Sequence, residues 1–376
     1  MTTLEKLNNV LNHVKTTFVG KNEVIDLLGI CMLARENAFL LGPPGTAKSA
    51  IVRELSASVA DGKNFEYLLT RFTEPNEIFG PFDIRKLKEG DLVTNTDGMM
   101  PEASLIFLDE IFNANSAILN SLLMALNEKV FRRGRELLKL PALMFVGASN
   151  MMPEDEALGA LLDRFLIRVR CDYVDTDLLG QVLNAGWRLE NKEGAKRPEI
   201  TADEIKTLQQ ECRQVDISGI QQEYVNLVHS LRNAGVSVSD RRAVKVQNLI
   251  AASAYISGRN TASLSDLWVL RYIWDAEEQI EVLTGIVNKF VEKGEEDGAH
   301  PQARSNEAPN AESIAQQVKQ LAEEWNKEDL GFDQRNIIKD KLRFLQSQSN
   351  WVQSDLHKGE LQGQIDELWK SILQTA

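Results

Sequence analysis

The sequence contains few of the residues that build disulfide frameworks and metal centres. Its 376 residues include three cysteines and four histidines. Because the cysteines are scattered and odd in number, they exclude a disulfide scaffold and predict reduced structural thiols in a cytoplasmic protein. The histidines have no spacing typical of a zinc site. These residues are Cys31, Cys171 and Cys212, and His13, His229, His300 and His357.

Long apolar runs are absent as well. No run approaches the ~18 residues that a membrane-spanning helix needs. The first residues, MTTLEKLNNV, lack the apolar stretch of a secretory signal. We therefore expect a soluble, cytoplasmic protein without a membrane span. The hydrophobic content of 43% is enough for a sizeable core, and a chain of this length predicts two or three domains.

Positive charge is in short supply. The chain has 42 Lys and Arg against 55 Asp and Glu, which gives a net charge of −13. Broad nucleic-acid binding needs Lys and Arg to neutralise phosphates, so this balance argues against nucleic acid as a partner. The acidic balance does not exclude a local basic surface, such as the pore of a ring, because basic residues recur in two short segments. They are Lys86, Lys88, Arg132, Arg133 and Arg135.

An apolar run enters a glycine-rich loop between Phe39 and Ser49, which read FLLGPPGTAKS. In this pattern the backbone N–H groups of the loop and of the following helix hold phosphates, the Lys ammonium reaches the β and γ phosphates, and the Ser hydroxyl binds Mg²⁺. The expected cofactors are therefore ATP or ADP and Mg²⁺. The predicted nucleotide-binding residues are Gly42, Pro43, Pro44, Gly45, Thr46, Ala47, Lys48 and Ser49, with Ser49 also a metal ligand.

The loop departs from the strict pattern at Ala47, where the pattern has Gly. We interpret this position as part of a helix N-terminus, where an alanine is sterically tolerated. Gly42 and Gly45 supply the backbone freedom that an anion-binding loop needs. The alternative is a chance Gly/Pro turn before a helix, and the apolar strand that precedes the loop argues against it.

A second apolar run, LIFLDE at residues 105–110, ends in two carboxylates. Asp109 is predicted to hold Mg²⁺, directly or through water, and Glu110 to polarise the attacking water. The alternative is a helix N-terminus that favours acidic residues. The position of the pair after a phosphate loop favours the catalytic interpretation.

The pattern of strands predicts where these motifs meet. Strands are expected at about 37–41, 65–69, 105–108 and 143–148, with helices between them, which indicates a parallel sheet covered by helices. Ligands bind at the carboxyl ends of such strands. The last of these strands leads to Asn150, which can hold the attacking water, although an ordinary loop asparagine is the alternative.

Arginines beyond the sheet are candidates for contacts with the γ-phosphate. Arg164, in LDRFLIR, could enter the site of a neighbouring subunit and neutralise charge in the transition state; the alternative is a local ion pair with Asp163 or Glu154. Arg241 and Arg242 open a helix of the following region. We prefer Arg241 as the residue that senses the γ-phosphate and assign Arg242 to nucleotide binding.

The remaining chain is predicted to be helical. Residues 1–172 would form the nucleotide-binding core, residues 173–271 an all-α lid, and residues 272–376 a C-terminal helical element interrupted by a polar linker at 292–312. Two apolar stripes at helical spacing lie beyond this linker, and core packing explains them better than partner binding. They consist of Ile314, Val318, Leu321 and Trp325, and of Leu361, Ile365, Leu368 and Ile372.

Together these motifs resemble the MoxR family of AAA+ ATPases, and most closely its RavA subgroup. The resemblance covers about residues 15–280. It rests, in chain order, on LLGPPGTAKS, YLLTRFTEPNEIFGP, PEASLIFLDEIF, LNSLLMALNEKVFRRG, GASN, LDRFLIR and SDRR. The phosphate loop and the carboxylates alone would indicate only a nucleoside triphosphatase, whereas the TRF…FGP block is much more specific.

The resemblance implies an α/β fold: an AAA+ αβα parallel-sheet core with two β-hairpin insertions, an all-α lid in an unusual place and a C-terminal helical element. The insertions would lie near 81–100 and 129–141. It also implies a homo-oligomeric ring, usually a hexamer, with ATP between subunits and adenine near Val19 and Gly20. The β-rich insertion of RavA is missing, since the polar stretch 292–312 stands in its place.

Three functions follow as hypotheses. The first is a chaperone or remodeller of protein or metal-cofactor complexes, acting on a protein client with a von Willebrand factor A (VWA) domain partner, as the resemblance implies. The second is a nucleic-acid motor, against which the acidic balance argues. The third is a nucleotide-gated scaffold. The presence of both Asp109 and Glu110 favours hydrolysis over a scaffold.

Overall fold

The computed structural model describes residues 1–89, 93–133, 136–153, 155–191, 197–294, 298–304, 311–325, 332–349 and 355–374. Two compact units divide the chain, Met1–Ala303 and Arg304–Ala376. Within the described ranges, no helix is long and apolar enough to cross a membrane.

A five-stranded parallel sheet forms the centre of the first unit, in the order β2-β3-β6-β1-β7. Strands β1, β3 and β6 are almost entirely buried, as expected for a parallel sheet covered on both faces. The predicted sheet is confirmed, and β7 is an additional strand that the sequence pattern did not indicate. The strands are β1 Ala38–Leu41, β2 Asn64–Leu68, β3 Leu105–Asp109, β6 Met144–Ser149 and β7 Ile167–Arg170.

Helices surround this sheet and continue through the lid. The helix α2 is apolar on all sides and buried along nearly its whole length, because it lies between the sheet and the lid. The helices around the sheet are α1 Thr3–Thr17, α2 Asn22–Ala34, α3 Lys48–Ala57, α4 Pro75–Phe79, α5 Ile84–Lys88, α6 Ser116–Glu128 and α7 Glu156–Leu162. Those that follow are α8 Leu179–Glu190, α9 Ala202–Cys212, α10 Gln221–Asn233, α11 Asp240–Ile256 and α12 Gln279–Val291.

The two insertions differ from each other. The second is an antiparallel hairpin of β4 Val130–Arg133 and β5 Glu136–Lys139. The first has a single antiparallel bridge, Phe82 to Thr94, around α5 in the residues that the structure describes. It therefore differs from the two-stranded hairpin expected there, because its residues IRKLK are helix formers without the alternation of a strand.

Side chains tie the two insertions together. The guanidinium of Arg133 lies 3.7 Å from the centre of the Phe82 ring and donates to the carbonyl of Gly80 at 2.8 Å. The hydroxyl of Thr94 donates to Glu136 at 2.9 Å. Arg133 is thus held by the first insertion, and Arg135 lies outside the described residues.

The region predicted as the start of the C-terminal element belongs to the first unit. Helix α12 packs on the 3₁₀ segment Leu264–Tyr272 and contributes Leu283, Val287 and Val291 to the main core. Within the predicted polar linker, residues 298–304 are also packed. His300 is buried and stacks on Trp268 at 4.9 Å between ring centres. The short helix α13 Pro301–Arg304 follows it.

The second unit is a bundle of three helices with its own core. The two apolar stripes predicted there both face this core, together with residues of the middle helix. Its helices are α14 Ala311–Trp325, α15 Phe332–Ser349 and α16 Asp355–Gln374. Core packing of the stripes is thereby confirmed.

A cluster of one partly exposed carboxylate and two buried arginines joins the lid to the sheet. Asp275 accepts from Arg168 of β7 at 2.7 Å and from Arg242 of α11 at 2.8 Å. Both guanidinium groups are buried, and burial beside Arg242 lowers the pKa of Arg168 to about 10. One carboxylate therefore compensates two cations that water does not reach.

We expect Asp275→Asn to lower the free energy of unfolding by about 3 kcal/mol, because it leaves two buried guanidinium groups without a counter-charge. Urea denaturation of the full chain measures this loss. Asp203→Asn is the matched control, since Asp203 pairs with Lys206 on the surface and such pairs contribute under about 1 kcal/mol. Equal losses in the two variants would contradict the role of Asp275.

Candidate nucleotide-binding site

The phosphate loop leaves the carboxyl end of β1 between two neighbouring strands. The N–H of Gly42 donates to the carbonyl of Ser149 at 3.1 Å. A Cβ atom at position 42 would lie 2.1 Å from the carbonyl oxygen of Cys171. Only glycine fits this approach, so the loop is fixed against the ends of β6 and β7.

Lys48 is the cation at the centre of the loop. Its buried ammonium donates to the carbonyls of Gly42 at 2.5 Å and Pro43 at 3.0 Å, and to the side-chain oxygen of Asn150 at 3.3 Å. The hydroxyl of Thr46 donates to the carbonyl of Pro43 at 2.9 Å and braces the same turn. The loop therefore holds its charged group over the carboxyl edge of the sheet.

Ala47 stands at the N-cap of α3, as expected, but in a left-handed conformation with φ of 66° and ψ of 16°. An alanine at this position is therefore strained and not merely tolerated, because the left-handed region costs a residue with a Cβ atom roughly 1–2 kcal/mol. No side chain caps α3, so its first N–H groups remain directed at the loop.

Ala47→Gly should raise the free energy of unfolding by about 1 kcal/mol, because glycine adopts this conformation without strain. Ala50→Gly, in the interior of the same helix, should lower it by a similar amount. Thermal or urea unfolding of both variants gives the comparison. Destabilisation by both changes would show that Ala47 carries no strain.

The two carboxylates follow β3 at the same edge. Asp109 ends the strand, and its side chain accepts from the N–H of Glu110 at 3.0 Å. Glu110 adopts a left-handed conformation with φ of 50°, a strained geometry of the kind that gathers at functional sites. Burial and the neighbouring charge of Asp109 raise the pKa of Glu110, while Lys48 opposes this shift.

Strand β6 connects this carboxylate to the phosphate loop. The backbone N–H of Asn150 and the hydroxyl of Ser149 lie close enough to the Glu110 carboxylate to lower its pKa, against the effect of burial. The amide oxygen of Asn150 accepts from Lys48. The predicted convergence of Lys48, Glu110 and Asn150 is thus present in the structure.

The loop between α1 and α2 lies beside the segment that follows β7. A Cβ atom at Gly20, whose φ is 74°, would lie 2.8 Å from Val174 and 3.5 Å from Leu178. The hydroxyl of Tyr173 donates to the carbonyl of Pro44 in the phosphate loop at 3.3 Å. Val19 and Gly20 are therefore near the loop, as an adenine-binding position requires.

Tyr173, Val174 and Leu178 are candidate site residues that the sequence reasoning missed. They follow β7 at the carboxyl edge of the sheet, and β7, with the residues IRVR, was not recognised as a strand. The alternation of Ile167 and Val169 with arginines was the available signal.

Arg164 lies at the opposite edge of the sheet. Its carbonyl accepts from the side chain of Asn37 at 3.0 Å, and Asn37 directly precedes β1. Gly42 follows the other end of β1. Asn37 and Gly42 are five positions apart, so roughly 16 Å of strand separates the two edges of the sheet. Arg164 donates to Asp163 at 2.5 Å, which is the predicted local alternative, and Glu154 lies outside the described residues.

Arg241 lies beside Arg164 and not beside the phosphate loop. It donates to Asn127 at the end of α6, and it lines one pocket with Arg164, Asp163 and Lys245. Lys245 pairs with Glu36, just before β1, at 2.8 Å. The predicted finger and the predicted sensor therefore form one basic cluster at the amino edge of the sheet.

Arg242 does not fit the assignment to nucleotide binding. Its guanidinium is buried and donates to the carbonyls of Ser237 at 3.1 Å and Ile273 at 2.6 Å, as well as to Asp275. These contacts occupy it within the lid. Between the two arginines, the structure favours Arg241 as the one able to meet a phosphate.

The groups at the carboxyl edge suit a magnesium nucleotide. The loop offers an ammonium and an uncapped helix N-terminus for phosphates, and Ser49 and Asp109 offer a hydroxyl and a carboxylate. One or two protein oxygens with phosphate and water completing the shell is the usual arrangement for Mg²⁺. In the described part of the chain, no cluster of three or more His, Cys, Asp or Glu residues offers an all-protein metal site.

Comparison with known proteins gives the family. Residues 5–210 match the family described as the MoxR domain in the MoxR-vWA-beta-propeller ternary systems, and residues 205–287 match an AAA lid domain. An uncharacterised protein of Methanocaldococcus jannaschii is 35% identical over 297 residues, which cover 77% of each chain. Chaperone MoxR1 of Mycobacterium tuberculosis is 26% identical over 171 residues, or 44% of each chain.

A solved structure has the same fold. The crystal structure of a candidate ATPase from Cytophaga hutchinsonii superposes with a TM-score of 0.63 at 19% identity, and covers 78% of this chain and 96% of its own. The match of more than half of the chain to one family, with the lid match directly after it, agrees with the sheet, loop and lid described above. The chain belongs to the MoxR family of AAA+ ATPases.

Proposed function

We propose that this protein hydrolyses Mg-ATP at the interface between adjacent copies of itself and uses the cycle to remodel a protein client. The observation that carries the proposal is the separation of Arg164 and Arg241 from Lys48. These groups lie at opposite edges of one sheet, so one copy cannot bring both to the same phosphate. A head-to-tail assembly brings them together.

In the copy that binds ATP, the carboxyl edge supplies the chemistry. Lys48 and the N-terminus of α3 hold the phosphates, and Ser49 and Asp109 hold Mg²⁺, which neutralises charge on the phosphate oxygens. Glu110, with its raised pKa, accepts a proton from the attacking water. Asn150 orients that water and links it to Lys48.

The adjacent copy supplies Arg164 and Arg241 to the γ-phosphate. Both side chains stand in one pocket, so a single approach presents both. Arg241 is on α11, and its neighbour Arg242 is fixed to Asp275. Loss of the contact between Arg241 and the γ-phosphate would therefore let the lid rotate and move the insertions. A hexameric ring is the assembly we propose from the family resemblance.

The partner follows from the family as well. The matched family is named for systems that combine MoxR with vWA and β-propeller proteins, and a relative is a chaperone. We therefore propose a VWA-domain partner that recruits the client. Membership of the RavA subgroup remains a prediction of the sequence.

The nucleic-acid motor is less well supported. Of the basic residues on the insertions, Arg133 is engaged with Phe82, Gly80 and Asn76. Lys86, Lys88 and Arg132 are exposed but stand in a chain with a net charge of −13. Salt-dependent retention on DNA would favour this alternative.

Glu110→Gln should bind ATP normally and lose at least about a hundredfold in turnover, because the amide cannot accept the proton. Phosphate release and retention of radiolabelled ATP measure the two effects. Glu278→Gln, an exposed position on the lid, is the control. If the variant keeps full remodelling activity with its partner while turnover is lost, the protein acts as a nucleotide-gated scaffold.

Arg164→Ala should retain ATP binding and lose about 10³-fold in turnover, as expected for a group that stabilises transition-state charge. The position of Arg164 adds a sharper test. Lys48→Ala should also be inactive, yet equal mixing of the two variants should restore activity at up to about a quarter of the interfaces. At these interfaces the intact phosphate loop of an Arg164→Ala copy faces the intact Arg164 of a Lys48→Ala copy.

Mixing Arg164→Ala with Glu110→Gln and Lys48→Ala in turn gives two independent complementations, and phosphate release is the measurement. The mixture of Lys48→Ala with Glu110→Gln is the control, because both defects lie at the same edge and no interface becomes complete. No recovery in the other two mixtures, while the rings stay intact, would place Arg164 and Lys48 at the same copy's site. Recovery in the control would contradict the placement of Lys48 and Glu110 at one site.

A further inference from the structure

Helix α8 carries a stripe of large apolar side chains that are about half to two-thirds exposed among the described residues. Leu179, Leu183 and Trp187 recur at every fourth residue, on one face, and are 48%, 66% and 67% exposed. No residue of α8 is buried. An exposed row of large apolar side chains, Trp among them, marks an interaction surface.

This stripe begins beside the nucleotide site. Leu178, the residue before α8, contacts the loop at Gly20 together with Val174, and Tyr173 bonds to the phosphate loop. The stripe therefore belongs to the carboxyl edge of the sheet, where ATP would bind.

A complementary feature lies on the lid. An apolar groove of about 220 Å³ runs between α10 and α11, with Tyr224, Val225, Val228 and Val244 among its walls. The hydroxyl of Tyr224 donates to the carbonyl of Ala243 at 2.6 Å and fixes the floor. Val244 is 64% exposed at its rim. This volume is below that of small-molecule pockets, so the groove suits a few side chains and not a nucleotide.

The groove lies on the side of the molecule that carries the arginine cluster. Ala243 and Val244 occupy the same first turns of α11 as Arg241 and Lys245. Lys245 reaches Glu36 and Arg241 reaches Asn127, both at the amino edge of the sheet. The stripe and the groove thus stand on opposite edges, just as the phosphate loop and the arginines do.

We propose that the stripe of α8 in one copy docks into the α10–α11 groove of the adjacent copy. The inference rests on the proposed function, because the approach that brings Arg164 and Arg241 to a neighbour's phosphate also brings the groove to that neighbour's α8. The occupant is a second copy of this chain, and the interface is head-to-tail, which closes rings.

The chemistry of the two surfaces agrees with this pairing. Trp187 and Leu183 offer large apolar area at low entropic cost, and Trp is the residue most often found as an interface anchor. The residues between the members of the stripe, 180–182 and 184–186, include no charged residue. Docking would connect a neighbour's lid directly to the segment beside adenine.

Cross-linking between variants that each carry one added cysteine tests the pairing in the full chain. Leu183→Cys and Val244→Cys are each made, mixed with Mg-ATP and treated with short bismaleimides of two lengths. The native Cys31, Cys171 and Cys212 are buried and give little background. We expect covalent dimers in the mixture, none with either variant alone, and a ladder of larger products from the double variant.

A matched pair of alanine variants gives a second measurement. Trp187→Ala should weaken ring assembly by at least about tenfold in mass photometry, with unchanged thermal unfolding because the side chain is exposed. Leu189→Ala is the control, since Leu189 is 46% exposed on another face of α8 and should leave assembly unchanged.

The outcomes separate this inference from the proposed function. Intact rings that show the arginine complementation but no Leu183–Val244 cross-link would overturn the docking and leave the ATPase proposal standing. Cross-links of Leu183→Cys with itself would replace it by a two-fold dimer, and capture of α8 by the VWA partner alone would replace it by a partner site. Absence of any assembly would overturn both.

Discussion

The position of the lid depends on one partly exposed carboxylate that pairs with two buried arginines. Asp275 lies between Arg168 on β7 and Arg242 on α11. Both guanidinium groups are buried, so water cannot take the place of the carboxylate as their partner. Because leaving either cation unpaired is costly, α11 is held at one place on the sheet. That place sets Arg241 beside Arg164 and Lys245 beside Glu36. The catalytic geometry of the neighbouring site would therefore depend on an ion cluster that never meets the nucleotide.

The other edge of the sheet is shaped by close approach and strain. Gly42 touches the carbonyl of Cys171, while Ala47 and Glu110 both adopt left-handed conformations. Such conformations persist only where the surrounding structure fixes them. At this edge the ammonium of Lys48 donates to the carbonyl of Gly42 and to the side-chain oxygen of Asn150, which holds the loop against β6. Burial and the charge of Asp109 raise the pKa of Glu110 at this edge, so its carboxylate holds a proton more tightly than a solvated one.

The two edges of the sheet carry the two groups of residues that would form the proposed site between adjacent copies. Phosphate loop, carboxylates and α8 stripe belong to one, and arginines and lid groove to the other. In each copy, Arg164 and Arg241 lie at the opposite edge of the sheet from the Lys48 of that copy. In a head-to-tail assembly every interface would couple hydrolysis to the lid of the next copy. Residues 300–303 also contact the 3₁₀ segment Leu264–Tyr272, since His300 stacks on Trp268 and Arg271 donates to the carbonyls of Gln302 and Ala303.

Local sequence determined the chemistry of the carboxyl edge. The meeting of Lys48, Asn150 and the Asp109–Glu110 pair at this edge could be predicted from the chain, because each follows an apolar strand of a parallel sheet. The strand β7, the lid position of α12 and the burial of Arg242 could not, because each depends on residues distant in the sequence: β1 pairs with Ile167–Arg170, and Arg242 meets Asp275. Two adjacent arginines look alike in sequence. Only tertiary packing decided that Arg242 is buried beside Asp275 while Arg241 lies with Arg164 and donates to Asn127, because the cost of desolvation depends on position and not on residue type.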